Sequence, residues 1–376
     1  MPHQQHVMLY FLRNRELNEL YLTITIRAFA ISMIGIFIPI FLLQLNYSLP
    51  QVMVFFVILA GVHSVSSLPA AKLSSRFGFK HSILFSRVLW IIALLFLITL
   101  EQINWPLYVP AILLGVSGAL FWVGYHVDFA KFSDKKKRGR EVSISKIASS
   151  LFNVLGPLVG GIILVFFGFA SLFVFASVLM IVGVVPLFFS KDIHNPIEFS
   201  LKELFKGQKI KDGLSFIGAG IESGLSQVMW PIFIFFLILG EQYTSLGLVS
   251  SLSLFFSFLL TFAVGKFSDV KRGLVLKIGA ITNAIVWIFR AFVKTTLHVF
   301  VIDSFGGISK TLIGVPFEAR SYDKANKSNI VRFIAYRETI INASRAVFFV
   351  VMIFVADLAS SFIFGGSAGS LLHLLF

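Results

Sequence analysis

The sequence predicts an all-α, polytopic membrane protein, and three observations support this fold class. Of its 376 residues, 57% are hydrophobic and only 13% are charged, with a mean hydropathy of +0.89. A soluble domain of this length would need far more polar surface. The apolar residues also come in runs of roughly twenty, the length that a helix needs to cross about 30 Å of hydrocarbon. Finally, 44 phenylalanines suit lipid-facing helices better than a soluble core.

Hydropathy predicts roughly twelve spans along the chain. In order, they are residues 21–43, 51–70, 81–100, 106–127, 144–166, 170–190, 214–239, 246–265, 274–293, 297–317, 331–356 and 359–376. The residues before the first span are mixed and polar, and the apolar run that follows exceeds a signal-peptide core. We therefore predict no cleavable signal.

The loop charges predict the orientation. When the loops are assigned alternately to the two sides, all of their lysines and arginines except Lys294 fall on one side. The positive-inside rule places that side, with both termini and the long loops, in the cytoplasm. The chain is therefore predicted to be a multi-pass protein of the plasma membrane. The net charge of +14 is explained by this topology, so we predict no nucleic-acid partner.

The longest loop divides the chain into two predicted six-helix bundles, residues 1–190 and 214–376. The linker, residues 191–213, contains Leu201, Leu204 and Phe205 among several lysines. This pattern fits a short amphipathic helix on the inner leaflet, and it fits a solvated linker equally well.

The two predicted bundles have similar loops. Span two ends in Ala-Lys-Leu-Ser-Ser at 71–75 and span eight in Gly-Lys-Phe-Ser-Asp at 265–269. Span four ends in Ala-Lys-Phe-Ser-Asp at 130–134 and span ten in Ala-Arg-Ser-Tyr-Asp at 319–323. Parallel six-helix repeats are a recurrent transporter architecture. The alternative is that a cation simply suits the dipole at any helix C-terminus.

Residues 71–80 resemble the loop between helices two and three of the major facilitator superfamily. In that family the loop reads Gly, three residues, Asp-Arg, one residue, Gly and then basic residues. The matching positions here are Arg76, Gly78 and Lys80. Ala71 and Ser75 stand where the family has its glycine and aspartate.

The second-half copy of this loop keeps both missing residues, as Gly265 and Asp269. The resemblance implies that the two loops form a conformational latch on the cytoplasmic side. Because Ser75 is not acidic, a charge latch in the first half is left open.

Span five contains a segment similar to the Gly-Pro-x-x-Gly-Gly motif of family members that export solutes in exchange for protons. Its residues are Gly156, Pro157, Gly160 and Gly161. Pro157 removes a helix hydrogen bond, and the glycines allow bending and close helix contact. The segment is therefore either a hinge or a site of plain close packing.

Charged residues in the predicted spans are functional candidates, because a charge inside the membrane costs several kcal/mol unless it is paired or hydrated. Asp303 and Lys310 share a helix face but lie about 10 Å apart, so each needs another partner or water. Arg87 and Arg290 lie near the ends of outer spans, and we expect them to snorkel to the headgroups.

The resemblance implies a central cavity lined mainly by spans one, four, seven and ten. The candidate substrate and coupling residues are Arg27, His63, Trp122, Tyr125, Asn153, Glu222, Gln227, Trp230, Asp303, Lys310 and Arg345. Structural ion pairs, neighbour hydrogen bonds and aromatic packing remain the alternative roles for these residues.

We hypothesise that Glu222 or Asp303 is a proton-coupling carboxylate, because burial favours the neutral form of such a group. Arg345 or Lys310 would be its counter-charge or an anchor for an anionic substrate. Because the candidates have both signs, no net substrate charge is predicted.

The leading functional prediction is a secondary transporter for a small solute, either proton-coupled or facilitative, working by alternating access. A lipid translocator and a non-transporting sensor or assembly protein on the same scaffold remain alternatives. The sequence has no cysteine and no phosphate-binding or zinc motif. We therefore predict no enzyme activity, metal or cofactor, and we expect a monomer in the lipid bilayer.

Overall fold

The computed structural model describes residues 15–134, 138–189, 201–355 and 357–376, and these are helical with short connections. Below, the first half means residues 15–189 and the second half residues 201–376. The first half contains α1 (Arg15–Ile34), α2 (Ile38–Gln44), α3 (Leu49–Phe77), α4 (Phe79–Ile98), α5 (Leu100–Ile103), α6 (Tyr108–Phe132), α7 (Arg138–Val182) and a 3₁₀ turn at Val185–Phe189.

The second half begins with α8 (Leu201–Phe205) and continues through several long helices. These are α9 (Ile210–Gly224), a π turn at Leu225–Met229, α10 (Trp230–Leu237), α11 (Tyr243–Arg290), α12 (Thr296–Asn326) and α13 (Ile330–Phe354). The chain ends in α14 (Leu358–Ser360), a second π turn at Ser361–Gly366, α15 (Ser367–Leu372) and a 3₁₀ turn at His373–Leu375.

Within these described ranges, nine helical stretches are long and apolar enough to cross a membrane. Two of them, Arg138–Phe189 and Tyr243–Arg290, have 52 and 48 residues. Each contains a residue with non-helical backbone angles, Gly168 in the first and Lys271 in the second. The φ of Gly168 is +73°, a left-handed value that glycine adopts without a steric penalty. The chain is therefore an all-helical, multi-pass membrane protein, as the hydropathy predicted.

The first predicted span, residues 21–43, lies within one apolar stretch, Leu17–Gln44, and this stretch contains a break in the helix. α1 ends at Ile34, and α2 begins at Ile38 with Pro39 in its first turn. A proline has no N–H to bond the carbonyl four residues earlier, and its ring clashes there. The helix therefore breaks just before this proline, and the turn is closed by bonds such as Phe37 N to Ile34 O at 2.9 Å.

The predicted linker helix is present only as the short α8, and residues 190–200 lie outside the described residues. Leu204 is buried in the protein, and the Phe205 ring lies 5.7 Å from that of Tyr336 on α13. For the side chains that can be assessed, the apolar face of α8 thus meets the second half of the protein. Phe205 also keeps about half of its surface exposed, so the predicted inner-leaflet position of this helix stays a prediction.

Two pairs of helices join the halves. α7 packs along α11, and α3 packs along α13. Glycines bring the backbones together in the first pair, because a β-carbon added at Gly161 would lie 2.6 Å from the carbonyl oxygen of Tyr243. Gly247 of α11 approaches the carbonyl of Pro157 in the same way. The motif residues Gly156 and Gly160 instead pack on Ser32 and Met33 of α1.

We predict that Gly247→Ala lowers the apparent unfolding temperature in detergent by a few degrees. The added methyl group would overlap the Pro157 carbonyl, and overpacking of this kind costs about 1–3 kcal/mol. A thermal melt followed by size-exclusion chromatography measures the change. The matched control is Gly61→Ala in α3, where nothing lies within 4 Å of an added β-carbon. Equal effects at the two positions would contradict close packing between α7 and α11.

Candidate functional site

The first polar cluster in the interior surrounds Asp303 of α12. Arg290 of α11 donates to its Oδ1 at 2.7 Å, and the indole of Trp230 donates to Oδ2 at 3.0 Å. The Arg290 guanidinium also lies 4.3 Å from the ring centroid of Trp287 and 4.7 Å from that of Trp230. Asp303 and Arg290 are both almost completely buried. The pair is held between aromatic rings and is well shielded from lipid.

The second cluster surrounds Glu222 of α9. Its Oε1 accepts from Trp287 at 3.1 Å and from Ser370 at 2.9 Å, and Asn283 donates to it as well. His373, near the C-terminus, places its Nε2 3.3 Å from Oε2. All of these partners belong to the second half of the chain.

The two π turns help to assemble these clusters. The turn at Leu225–Met229 immediately precedes Trp230, and the turn at Ser361–Gly366 contains Phe362. The Phe362 ring lies 5.6 Å from Trp230 and 5.8 Å from Trp287. A π turn contains an extra residue and is frequent at functional sites. Here the second turn packs Phe362 against both tryptophans around Arg290.

A third cluster joins the halves around Glu338 of α13. Its Oε1 accepts from Arg337 Nη1 at 3.0 Å. Two histidines of the first half face the same carboxylate: His63 Nε2 of α3 at 3.6 Å from Oε2, and His126 Nε2 of α6 at 3.7 Å from Oε1. The other ring nitrogen of His126 lies 2.7 Å from the hydroxyl of Tyr322 on α12. One buried carboxylate thus meets titratable groups from both halves.

Ion pairs also connect the halves at one end of the molecule, called the basic end and defined by Arg138, Arg140, Asp269 and Asp323. Arg138 Nη1 lies 2.7 Å from Asp323 Oδ1, and Arg140 Nε lies 2.9 Å from Asp269 Oδ2. Arg272 is a further partner of Asp323. Towards the interior, Lys146 of α7 lies 3.1 Å from Glu318 of α12. The basic end is therefore closed by charge pairs between α7 and the second half.

The opposite end is closed differently. Among the described residues, the contacts that link the halves there are a hydrogen bond from Tyr243 to Gln44 and ring contacts. The Phe37 and Tyr243 rings lie 6.1 Å apart, and the Phe56 and Phe349 rings 5.4 Å apart. This end is joined by aromatic packing and carries no ion pair between the halves in the part of the chain that is described.

Four interior cations have no carboxylate partner within the described ranges. Arg27 of α1 lies 3.9 Å from the ring centroid of Phe121 and 4.9 Å from that of Trp122. Arg87 of α4 lies 4.5 Å from the same Phe121 ring. Lys310 and Arg345 have no hydrogen bond or ion pair to another described residue.

The structure corrects the expectation that Arg87 and Arg290 snorkel to the headgroups. Arg87 is 4% exposed and Arg290 is 1% exposed. Each lies over aromatic rings inside the protein, and Arg290 also pairs with Asp303. Local sequence patterns could not indicate these positions, because Phe121, Trp230 and Asp303 lie on other helices.

The remaining predicted cavity residues differ in their surroundings. Trp122 stacks on His126 at 5.2 Å, and Tyr125 bonds Ser145 of α7 at 2.8 Å. Asn153 is half-buried on α7, and Gln227 is exposed within the first π turn. Neither of these two amides has a hydrogen-bond partner in the described part of the chain.

The predicted latch residues lie at two different places. Lys80 is buried against Glu19 of α1 at 2.7 Å, and Gly78, with φ +105°, separates α3 from α4. Arg76 is exposed beside Phe77. The second copy lies on the interface between the halves, because Gly265 abuts Ser143 and Asp269 pairs with Arg140. The charged contact between the halves is thus made by the second-half loop, which keeps the motif glycine and aspartate as Gly265 and Asp269.

Several partners of these groups were not identified as candidates from the sequence. They are His126, Asn283, Trp287, Tyr322, Ser370 and His373. The presence of His126 and His373 inside or beside apolar runs was an available signal, but their carboxylate partners lie far away in the sequence. Among the described residues, no group of three or more His, Cys, Asp or Glu could hold a metal ion.

The fold and its polar interior define an integral, multi-pass membrane transporter. The chain belongs to the Major Facilitator Superfamily, whose family model matches residues 20–240. No curated protein matches the chain in sequence.

Solved structures agree with this assignment. The chain is similar to a POT family transporter in complex with a thioalcohol-conjugated peptide, and to one in complex with 5-aminolevulinic acid. Each has a TM-score of 0.72 and 14% identity, covering 96% of this chain and 95% of the other. It is also similar to the human organic anion transporter MFSD10 (TETRAN), with a TM-score of 0.67 and 11% identity, covering 96% of this chain and 97% of the other. These likenesses show the fold.

We predict that Arg290→Leu strongly destabilises the protein, because it leaves Asp303 buried without its cation. Removing one partner of a buried pair costs about 3–5 kcal/mol, whereas replacing both by apolar groups is often neutral. The double variant Arg290→Leu/Asp303→Leu should therefore regain most of the lost thermal stability.

The matched control is Lys310→Leu on α12, which removes an unpaired cation and should not lower the unfolding temperature. If Arg290→Leu were no less stable than Lys310→Leu, the pair would not be structural.

Proposed function

We propose that this protein is a secondary active transporter that moves a small solute across the membrane by alternating access. The observation that carries the proposal is the asymmetric closure of the two ends. Reversible charge pairs join the halves at the basic end, and aromatic contacts join them at the opposite end. Two mobile halves with different closing contacts can exchange between inward-facing and outward-facing states.

The proposal includes twelve spans in two six-helix bundles, residues 1–190 and 214–376, joined by a linker at 191–213. The nine apolar stretches become eleven if α7 and α11 each cross twice, turning at Gly168 and Lys271. α13 is the twelfth. It has 25 residues, enough for a crossing, although it carries Arg337, Glu338 and Arg345.

We further propose that the basic end faces the cytoplasm and that the protein resides in the plasma membrane. The lysines and arginines of the loops support this orientation under the positive-inside rule. Both termini would then be cytoplasmic. The outward-facing state would be reached with the pairs at Asp269 and Asp323 closed.

If transport is coupled to protons, the geometry favours Glu338 over Glu222 and Asp303 as the coupling carboxylate. Glu222 and Asp303 bind partners within the second half. Glu338 faces His63 and His126 of the first half, so the charge on this cluster changes the attraction between the halves.

The groups around Glu338 determine the sign of its pH response. Arg337 and Arg345 lie on its own helix, Tyr322 bonds His126, and the charges of Arg27 and Lys146 act on the two histidines. Protonation at lower pH gives the histidines a charge opposite to that of the carboxylate. Acidification should therefore tighten this contact and favour closure of the basic end.

The ligands of the structural neighbours suggest the size of the solute. The POT family transporters bind a thioalcohol-conjugated peptide and 5-aminolevulinic acid. We propose that this chain also carries a small polar solute. If the protein is instead a lipid translocator or a non-transporting protein on this scaffold, the experiments below should give the results named as contradicting the proposal.

We predict that distances at the two ends change in opposite directions. Because the native chain has no cysteine, spin labels can be placed at Lys72→Cys with Lys327→Cys for the basic end. The pair Ser48→Cys with Lys294→Cys serves for the opposite end. Double electron–electron resonance in nanodiscs should show a short-distance and a long-distance population for each pair of labels. The fraction of molecules with the long distance at one end should equal the fraction with the short distance at the other end.

Asp323→Asn should move the basic-end pair towards the longer distance, because it weakens the contacts to Arg138 and Arg272. Lys277→Gln, an exposed charge change on α11, serves as the control. A single unchanging distance at both ends, in the native protein and in Asp323→Asn, would refute alternating access and favour a non-transporting scaffold.

We predict that progressive acidification from pH 8 raises the closed-to-open ratio at the basic end by roughly fivefold once the histidines are protonated, equivalent to about 1 kcal/mol. Glu338→Gln should abolish this pH response in the same resonance measurement, because the histidines lose their anionic partner. Glu222→Gln should retain it. A response that survives Glu338→Gln but is lost in Glu222→Gln would return the coupling role to the Glu222–His373 pair.

A further inference from the structure

The interior carboxylates and the interior cations are not evenly matched. Glu222, Asp303, Glu318 and Glu338 each face a cationic or titratable partner on another helix. Arg27 and Arg345, by contrast, have neither a hydrogen bond nor an ion pair to any other described residue. In each of them the Nε atom is buried without a partner. Among the described residues, these two arginines therefore carry positive charge with no carboxylate in direct contact.

Arg27 and Arg345 come from different halves, and both approach His63. Arg27 of α1 lies on Phe121 and Trp122, and Trp122 stacks on His126, which faces Glu338. Arg345 is two turns from Glu338 on α13, so it lies on the helix side that meets the first half. The charges of both arginines act on His63, so both lie in the neighbourhood of that histidine.

Both side chains retain accessible surface. Arg27 and Arg345 are half-buried, although their neighbours Phe121 and His63 are buried. Since their Nε atoms have no contact with solvent, the exposed part lies elsewhere on each side chain. A guanidinium presents its donors as a planar fork that matches the two oxygens of a carboxylate or a phosphate.

Leaving two arginines unpaired is costly for the protein alone. A charge in a low-dielectric interior carries a desolvation cost that only a counter-charge or water offsets. Aromatic rings compensate part of this cost for Arg27 through cation–π contact, but no such ring faces Arg345 in the described part of the chain. An anion that binds between the arginines would supply what the protein lacks.

We propose that Arg27 and Arg345 together bind an anionic group, a carboxylate or a phosphate, of the transported solute. This inference rests on the proposed transport function and adds the substrate class, a small organic anion. Lys310 is not part of the pair, because the groups that act on it are Arg290, Asp303 and Glu222 in the second half. Since each half contributes one arginine, the bound anion would draw the halves together around His63.

Binding is tested on the purified full-length protein without a transport assay. The probes are inorganic phosphate and succinate, with succinamide as the neutral counterpart of succinate, at constant ionic strength. Because the same anionic chemistry occurs on lipid headgroups, a further arm compares nanodiscs of phosphatidylglycerol with nanodiscs of phosphatidylcholine. The readout is the unfolding temperature as a function of probe concentration.

We expect phosphate or succinate to raise the unfolding temperature of the native protein by a few degrees, and succinamide to leave it unchanged. Arg27→Gln and Arg345→Gln should each weaken the apparent affinity at least tenfold. Arg27→Lys, which keeps the charge but loses the fork, should fall between. Stabilisation confined to phosphatidylglycerol nanodiscs and lost in both glutamine variants would also support the site, with a lipid as the source of the anion.

The basal stability of the variants separates a binding role from a structural one. Without probe, Arg27→Gln and Arg345→Gln should unfold at the same temperature as the native protein or higher, because each removes an uncompensated charge. Lys277→Gln controls for net charge and should keep the probe response. The proposal is overturned if no anionic probe or lipid stabilises the native protein, or if both glutamine variants keep the response. Distance changes that persist in the resonance experiment would then leave alternating access standing without an anionic substrate.

Discussion

The arrangement of this protein depends on how charge is neutralised in a largely apolar interior. A carboxylate or guanidinium there must find a partner, and the partner fixes which helices face one another. Asp303 orients α12 towards α11 and α10 through Arg290 and Trp230. Glu222 likewise connects α9 with α11 and the C-terminal turn. These contacts lie within the second half and favour its movement as one rigid unit.

A different set of polar contacts crosses between the halves. Glu338 reaches His63 and His126, and Asp323 reaches Arg138. The Asp323 contact is suited to being broken, since its carboxylate is partly exposed and surface ion pairs contribute little net stability, whereas the Glu338 cluster is buried and changes its attraction through protonation of the histidines. Membership of the Major Facilitator Superfamily agrees with this division between strong contacts inside each half and exchangeable contacts between them.

The helical membrane fold could be predicted from the sequence, because span length and apolar composition are local properties. The position of Gly168 between two predicted spans and the start of α12 followed from the same runs of residues, whereas α12 continues to Asn326, beyond the predicted end at residue 317. The break before Pro39 was missed because the apolar run continues through it.

Pairing could not be predicted in the same way. Arg290 was expected at the headgroups, whereas its partner Asp303 lies 13 residues further along the chain, on the following helix. His126 and Glu338 are separated by most of the second half of the sequence, and no local pattern indicates that they meet. The candidate residues Arg27 and Arg345 were recognisable as unusual, but only three-dimensional contacts show which charges remain without a counter-charge.

The π turn at Leu225–Met229 has a consequence for the side chains that follow it. An α-helix advances by about 100° per residue, and a π turn inserts one residue into that progression. Deletion of one residue would let the segment form a regular α-helix. The side chains from Trp230 to Leu237 would then be rotated by about 100° around the helix axis. The indole would then turn away from Asp303, and the stacking surface under Arg290 would go with it. The extra residue in the π turn thus sets the rotational orientation of α10 about its own axis. That orientation determines whether Trp230 faces Asp303 and Arg290.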